Sequence, residues 1–268
     1  MLFLHFFKGF SGVFMKKKNF SGLKAFFVSP VLLIIATITM SGCSFFTNSW
    51  GKSFSRDMTD VYSKQSLDKL LELANDPSLQ NDKEASKQLL AAIGGKDVKS
   101  LSAEEKNTVL KLTISTSINA HTLATTLDNI QNATSGSASS DTVDAIVNGI
   151  LDSFEPTDIS AFATLMGDSA SVSAMDPVLI CISTICAATQ IAKENNLVDA
   201  DGVRDALVDV ADHGNTGNTV HDAAEAIAGS GNTENISTLE TIFEGFKDIN
   251  FDAEIISGST LREMFPNP

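Results

Sequence analysis

Apolar residues recur every three or four positions from about residue 57 to 250, and strand-like alternation is nearly absent. That period places the apolar side chains on one stripe of a helix. The clearest stripe is Val143, Ile146, Val147, Ile150, Leu151 and Phe154, with Asp144, Asn148 and Asp152 opposite. Ser140 suits its N-cap, and Pro156 lies just past its end. A second stripe is Val203, Ala206, Leu207 and Val210, with Asp201 as the expected cap. A third is Ile236, Leu239, Ile242, Phe243 and Phe246. Ser102-Ala-Glu-Glu105 reads as a capping box opening a long segment to about Gln131. Its Thr and Ser content permits a break near Asn119. Further helices are predicted at 57–75 and 82–93, stopped by Asp76-Pro77 and Gly94-Gly95, and shorter ones at 158–167 and 219–228. Residues 132–140, 167–176, 212–219 and 229–235 read as loops, being rich in Ser, Gly, Asn and Asp.

One segment differs. Asp176-Pro177 supplies a cap and a first-turn proline, and from Val178 to Ala192 every face is apolar or small. A helix apolar all round is buried, and fifteen such residues fall short of a membrane span. The expectation is an all-α domain over 57–268: an irregular bundle or short solenoid of about eight to ten helices around a central helix at 176–194. No fixed repeat period is present. The tail, with Ile255, Ile256, Leu261 and Phe265, is expected to dock as a short helix or extended piece.

The N-terminus has another pattern. Met15-Lys-Lys-Lys18 opens a basic stretch, an apolar run follows from Ala25 to Met40, and Ser41-Gly42-Cys43 closes it. That order is a secretory signal, so 1–42 is a removable segment and Met15 a sufficient start. Met40-Ser41-Gly42-Cys43 resembles the lipobox of bacterial lipoprotein precursors, with Met40 where Leu is usual. The resemblance implies cleavage between Gly42 and Cys43, diacylglycerol on the Cys43 thiol and often an acylated new amine. The alternative is an uncut anchor, since Ala25 to Phe46 is 22 residues without a charge. Either way the remainder lies outside the cytoplasm. Ser44 is not the Asp that marks inner-membrane retention in the enterobacterial system, so that analogy favours the outer membrane. Residues 43–56 form a tether in which Phe45, Phe46, Trp50 and Phe54 accompany Lys52 and Arg56, a mixture suited to a membrane interface. The run from Cys43 to Gly51 also resembles the first residues of some spirochaete lipoproteins, which implies no activity.

Charge sharpens the division. The 268 residues carry a net −14, but the first 42 hold five Lys and no Asp or Glu, leaving −19 on residues 43–268. That excess of carboxylates excludes nucleic acid as partner. Three Cys exclude a disulfide scaffold.

The candidate chemistry is sparse. Cys181 and Cys186 are five apart, about 140° around a helix, which suits core packing and neither a disulfide nor a metal pair. His121 continues the stripe of Ile114 and Ile118 and reads as an edge-of-core residue. His213 and His221 flank Gly214-Asn-Thr-Gly-Asn218, with Asp209 and Glu225 one turn away, so a helical hairpin could gather two imidazoles and two carboxylates for zinc. Helix-end electrostatics explains the same residues without metal. Asp199-Ala-Asp201-Gly202 fails as a calcium loop, because Leu197 and Val208 occupy the first and twelfth positions. No nucleophile elbow, zincin, P-loop or dinucleotide motif is present. The expected function is a non-catalytic envelope lipoprotein, joined to the membrane through Cys43, with an envelope protein as partner and no cofactor. The alternatives are a carrier of a small apolar ligand held between helices near Ile180–Ile191, and a metal-dependent hydrolase at His213/His221.

Overall fold

A computed structural model describes residues 58–76, 79, 82–135, 140–196, 200–211, 217–229, 231–252, 254–256 and 259–264. The segment 1–42 expected to be a signal, and residues 43–56, Cys43 among them, lie outside them. Asp57–Pro268 forms one compact unit.

The described residues are overwhelmingly helical. In chain order the helices are α1 (Thr59–Ser63), α2 (Leu67–Ala74), α3 (Lys83–Gly94), α4 (Ala103–Ser117), α5 (Ala120–Ser135), α6 (Ser140–Ser153) and α7 (Ser160–Met166). They continue as α8 (Ser169–Ala174), α9 (Pro177–Glu194), α10 (Ala200–Ala211), α11 (Gly217–Ala228) and α12 (Thr233–Phe246). A small antiparallel hairpin, β1 (Glu254–Ile256) and β2 (Ser259–Thr260), follows, then α13 (Leu261–Met264). The hairpin pairs Glu254 with Thr260 and Ile256 with Ser259, with an irregularity between.

Caps explain most boundaries. The Ser102 hydroxyl accepts the Glu105 amide and the Glu105 carboxylate accepts the Ser102 amide, completing the box at the start of α4. The Asp176 carboxylate accepts the amides of Val178 and Leu179 at the head of α9. The break near Asn119 is present: Ile118 is extended, and Asn119 caps α5 by accepting the Thr122 amide at 2.9 Å.

Several expectations need correction. Ser140 is the first residue of α6 rather than its cap, and residues 132–135, 217–219 and 233–235, expected as loop, belong to α5, α11 and α12. The segment 57–75 is two helices, because Ser66 turns to extended backbone and caps a new helix through the Lys69 amide. Residues 167–176 are not all loop, since Asp168 accepts the Ser171 amide at 3.0 Å and starts α8. Asp201 is not a cap, because α10 has already begun at Ala200. His121 is exposed, because the extended residue at Ile118 ends the stripe that Ile114 and Ile118 share. The splits and α8 raise the helical segments above the eight to ten expected.

The arrangement is a bundle around α9, which packs against α4, α6, α10, α11 and α12. Every residue from Ile180 to Ala192 is buried. Helix α9 is also long and apolar enough to cross a membrane, but 72% of it is buried within the protein. Each buried Ile or Leu contributes about 1.5–3 kcal/mol relative to exposure. Opposite it, α4 buries Thr113, Thr116 and Ser117, whose hydroxyls donate to carbonyls one turn back, at Val109, Leu112 and Thr113. Those internal bonds let a hydroxyl-rich helix face the core. At the far end the Phe246 and Phe251 rings meet edge to face at 5.3 Å, and buried Leu261 secures the tail. The side chains of Ile255, Ile256 and Phe265 lie outside the described set.

Helices α7 and α12 cross closely. A Cβ built on Gly245 would lie 2.2 Å from the Met166 carbonyl oxygen, so only glycine permits this approach. Gly149, inside α6, has nothing within 4 Å of such a Cβ. Gly245→Ala is therefore expected to destabilise by about 1–3 kcal/mol through forced separation of the helices. Gly149→Ala is expected to stabilise by about 0.5–1 kcal/mol by restricting the unfolded backbone. Urea-unfolding midpoints should move in opposite directions; a shared direction refutes the packing at Gly245.

Candidate functional site

Cys43 and His213 lie outside the described residues. The other sulfur atoms are placed. Cys181 and Cys186 are free and fully buried on α9. Burial raises both thiols well above their ordinary range, Cys186 to about 12, with the Ser117 hydroxyl pulling modestly the other way. A thiol held protonated is neither a nucleophile nor a ready metal ligand.

His221 stands on the exposed face of α11. Its ring nitrogen Nδ1 contacts Glu240 of α12, a residue 19 positions away, rather than Glu225 on its own helix. The Glu240 hydrogen bond is the main cause of an imidazole pKa above the usual value; it outweighs desolvation, and the Glu240, Glu225 and Asp222 charges add smaller contributions in the same direction. Among the described residues no three His, Cys, Asp or Glu side chains gather where a metal could be held. Asp199 also lies outside the described set, while Gly202 and Asp205 are exposed on α10.

One opening flanks the α7–α12 crossing. It is a cleft of about 510 Å³ with Gly167 and Gly245 at its floor, and Ser237, Glu240, Glu244 and Asp248 among its walls. A neighbouring hollow of about 370 Å³ shares Gly167, Ser237 and Thr241 and reaches Lys99. Glu240 thus links the His221 contact to the cleft wall. Helix α12, which carries Glu240, packs on both α11 and α7.

A third cleft, of about 480 Å³, lies where the 154–159 connection meets the C-terminal end of α9. The connection is tightly held. Gln190 accepts the Thr157 amide at 3.0 Å and donates to Glu194, and the Thr157 hydroxyl donates to Thr116. Glu155 pairs with Lys83 and Lys87 of α3, at 2.9 and 3.3 Å. Lys193 donates to the Leu151 carbonyl and lies 5.5 Å from the Phe154 ring centre. Such walls of hydroxyls, amides and carboxylates suit polar contact. They hold no nucleophile beside an imidazole among the described residues.

Sequence reasoning singled out His221 but not its partner. Glu240 joins it only through packing of α11 on α12, and residue spacing within one helix carries no trace of that. Comparison with protein-family models, curated proteins and solved structures finds no match for this chain.

The His221–Glu240 pair makes a signed prediction. A histidine whose pKa is raised by folding stabilises fully below the unfolded value near 6.5, and loses that stabilisation as pH rises through the folded value. The wild-type thermal midpoint should exceed that of His221→Ala at pH 5.5, and the gap should shrink as pH rises above 6.5. A gap constant from pH 5.5 to 9 rules out the protonated pair.

Proposed function

We propose that the chain is a bacterial lipoprotein, held by acyl chains on Cys43 to a cell-envelope membrane outside the cytoplasm, with its helical unit acting by binding a protein partner. The observation that carries this reading is the ordered N-terminal sequence: Lys16-Lys-Lys18, the apolar run to Met40, then Ser41-Gly42-Cys43. Two acyl chains or more give stable anchorage where one is marginal. The analogy at Ser44 favours the outer membrane.

The helical unit is compatible with a binding role. The cleft beside Glu240 is a surface feature with a mainly polar lining, better suited to the charged and hydroxyl groups of a macromolecule than to an apolar ligand. Helix α9, where an apolar ligand would have to lie, is enclosed by five other helices.

Metabolic labelling with palmitate tests the anchor. The wild-type chain is expected to incorporate label and to shift to the mature size, and Cys43→Ala to do neither. Label retained by Cys43→Ala overturns the lipoprotein reading. A native-membrane purification then tests the binding role, with a stoichiometric protein partner as the expected result and a co-purifying small molecule as the contrary one.

A further inference from the structure

The three hollows beside α12 run into one another. The cleft of about 510 Å³ shares Gly167, Ser237 and Thr241 with the hollow of about 370 Å³. That hollow in turn shares Ala163 and Thr238 with the cleft of about 480 Å³ at the end of α9. Together they make one groove along the seam of α7 and α12. It stays open because the side chains that meet in its middle are short, Ala163 and Thr164 from α7 facing Ser237, Thr238 and Thr241 from α12. The close approach of Gly245 to the Met166 carbonyl fixes the two helices at one end. From Glu234 to Asp248 the groove follows α12 for about 20 Å, at a rise of about 1.5 Å per residue.

Charge alternates along it. The end beside α9 carries Asp158, Glu194 and Glu234 and no cation. The middle has one charged side chain, Lys99, which is exposed. The end beside the α7–α12 crossing carries Glu240, Glu244 and Asp248, and its Lys247 is already bonded to Glu244 at 3.2 Å. Most of these carboxylates have partners within the protein: Asp158 accepts the Ser160 hydroxyl, Glu194 accepts Gln190, and Glu240 meets His221. Glu234 and Asp248 differ. Both are exposed, and neither carboxylate has a hydrogen bond or ion pair among the described residues. One uncommitted carboxylate thus stands at each end, with a lysine between. An extended chain rises about 3.3 Å per residue, so about six residues cover the same span.

We infer that the groove receives an extended segment of the partner protein, with two basic side chains about six residues apart and an acidic one midway between them. The basic groups meet Glu234 and Asp248, and the acidic group meets Lys99. The inference deepens the protein-binding role proposed above and rests on it. Complementary charges set the register of such a segment as well as attracting it.

Two peptides of identical composition test it on the full chain in a neutral detergent, by NMR titration. One is acetyl-Lys-Ser-Ser-Glu-Ser-Ser-Lys-amide, and the other is acetyl-Ser-Ser-Lys-Glu-Lys-Ser-Ser-amide. Their net charge is the same, so general attraction to an acidic protein acts on both alike. The first is expected to bind several-fold more tightly. Glu234→Gln/Asp248→Asn should remove that preference. Asp128→Asn/Asp141→Asn, an equal change of charge at exposed sites on α5 and α6, should leave it intact. Gly167→Leu should also remove it without altering charge. Gly167 has φ −73°, so its backbone accepts a side chain, and the new Cβ would lie 3.1 Å from Thr241 where two hollows join. Lys99→Glu makes the chain more acidic, yet it should weaken the first peptide by repelling its central carboxylate. Equal affinity for the two peptides overturns the groove. So does a preference that survives either groove variant or is lost in the α5/α6 variant, and so does tighter binding by Lys99→Glu. Failure of the protein-binding role itself shows separately, as absence of a protein partner from the wild-type native-membrane purification.

Discussion

Burial of α9 organises everything else. A helix apolar on all faces cannot stand at a surface, so other helices must supply an apolar stripe to each side of it. Five do, and their own outward faces become the solvent surface of the unit. The few aromatic residues of the helical region contribute to this core: Phe162 of α7 and Phe243 and Phe246 of α12 are fully buried, and Phe251 is buried at the root of the tail. Branched aliphatics and alanine fill most of the rest. Small side chains on α9, such as Ala187, Ala188 and Ala192, let its neighbours approach closely.

Hydroxyls complicate that core. On α4 they are satisfied by carbonyls of their own helix, and Thr116 also receives the Thr157 hydroxyl. On α9 the hydroxyls of Ser183, Thr184 and Thr189 are buried with no hydrogen-bond partner. Each orphaned group costs on the order of 1–3 kcal/mol. Helix α9 is thus both the centre of the hydrophobic packing and the place where polar burial is least compensated. Apolar contact around these three hydroxyls offsets that cost.

Local chemistry was readable from the residues, and non-local chemistry was not. The capping box at Ser102, the cap and proline at Asp176-Pro177, and the interruption at Asn119 are all decided within a few residues, and each stands where expected. Helix α8 escaped notice because Ser169-Ala-Ser171 resembles a loop by composition, although Asp168 carries a capping oxygen and Val172 an apolar anchor. Ser66 hid inside an otherwise continuous stripe. The Glu240 contact, the Gly245 crossing and the Glu155 pairs join residues from separate helices. Those depend on how the stripes rotate against each other, which periodicity leaves open. The signal and Cys43 rest on sequence order alone.

Complete enclosure of Cys181 and Cys186 has a temporal consequence. In the folded chain neither sulfur meets water, oxidant or another thiol, so disulfide exchange is closed to them. Before folding both are bare. A chain delivered unfolded into an oxidising space therefore enters a race between collapse of the bundle and capture of two naked thiols. The same helix that must be covered for stability must be covered quickly for covalent integrity. Under the export proposed for this chain, rapid enclosure of α9 is then a kinetic requirement as well as a thermodynamic one.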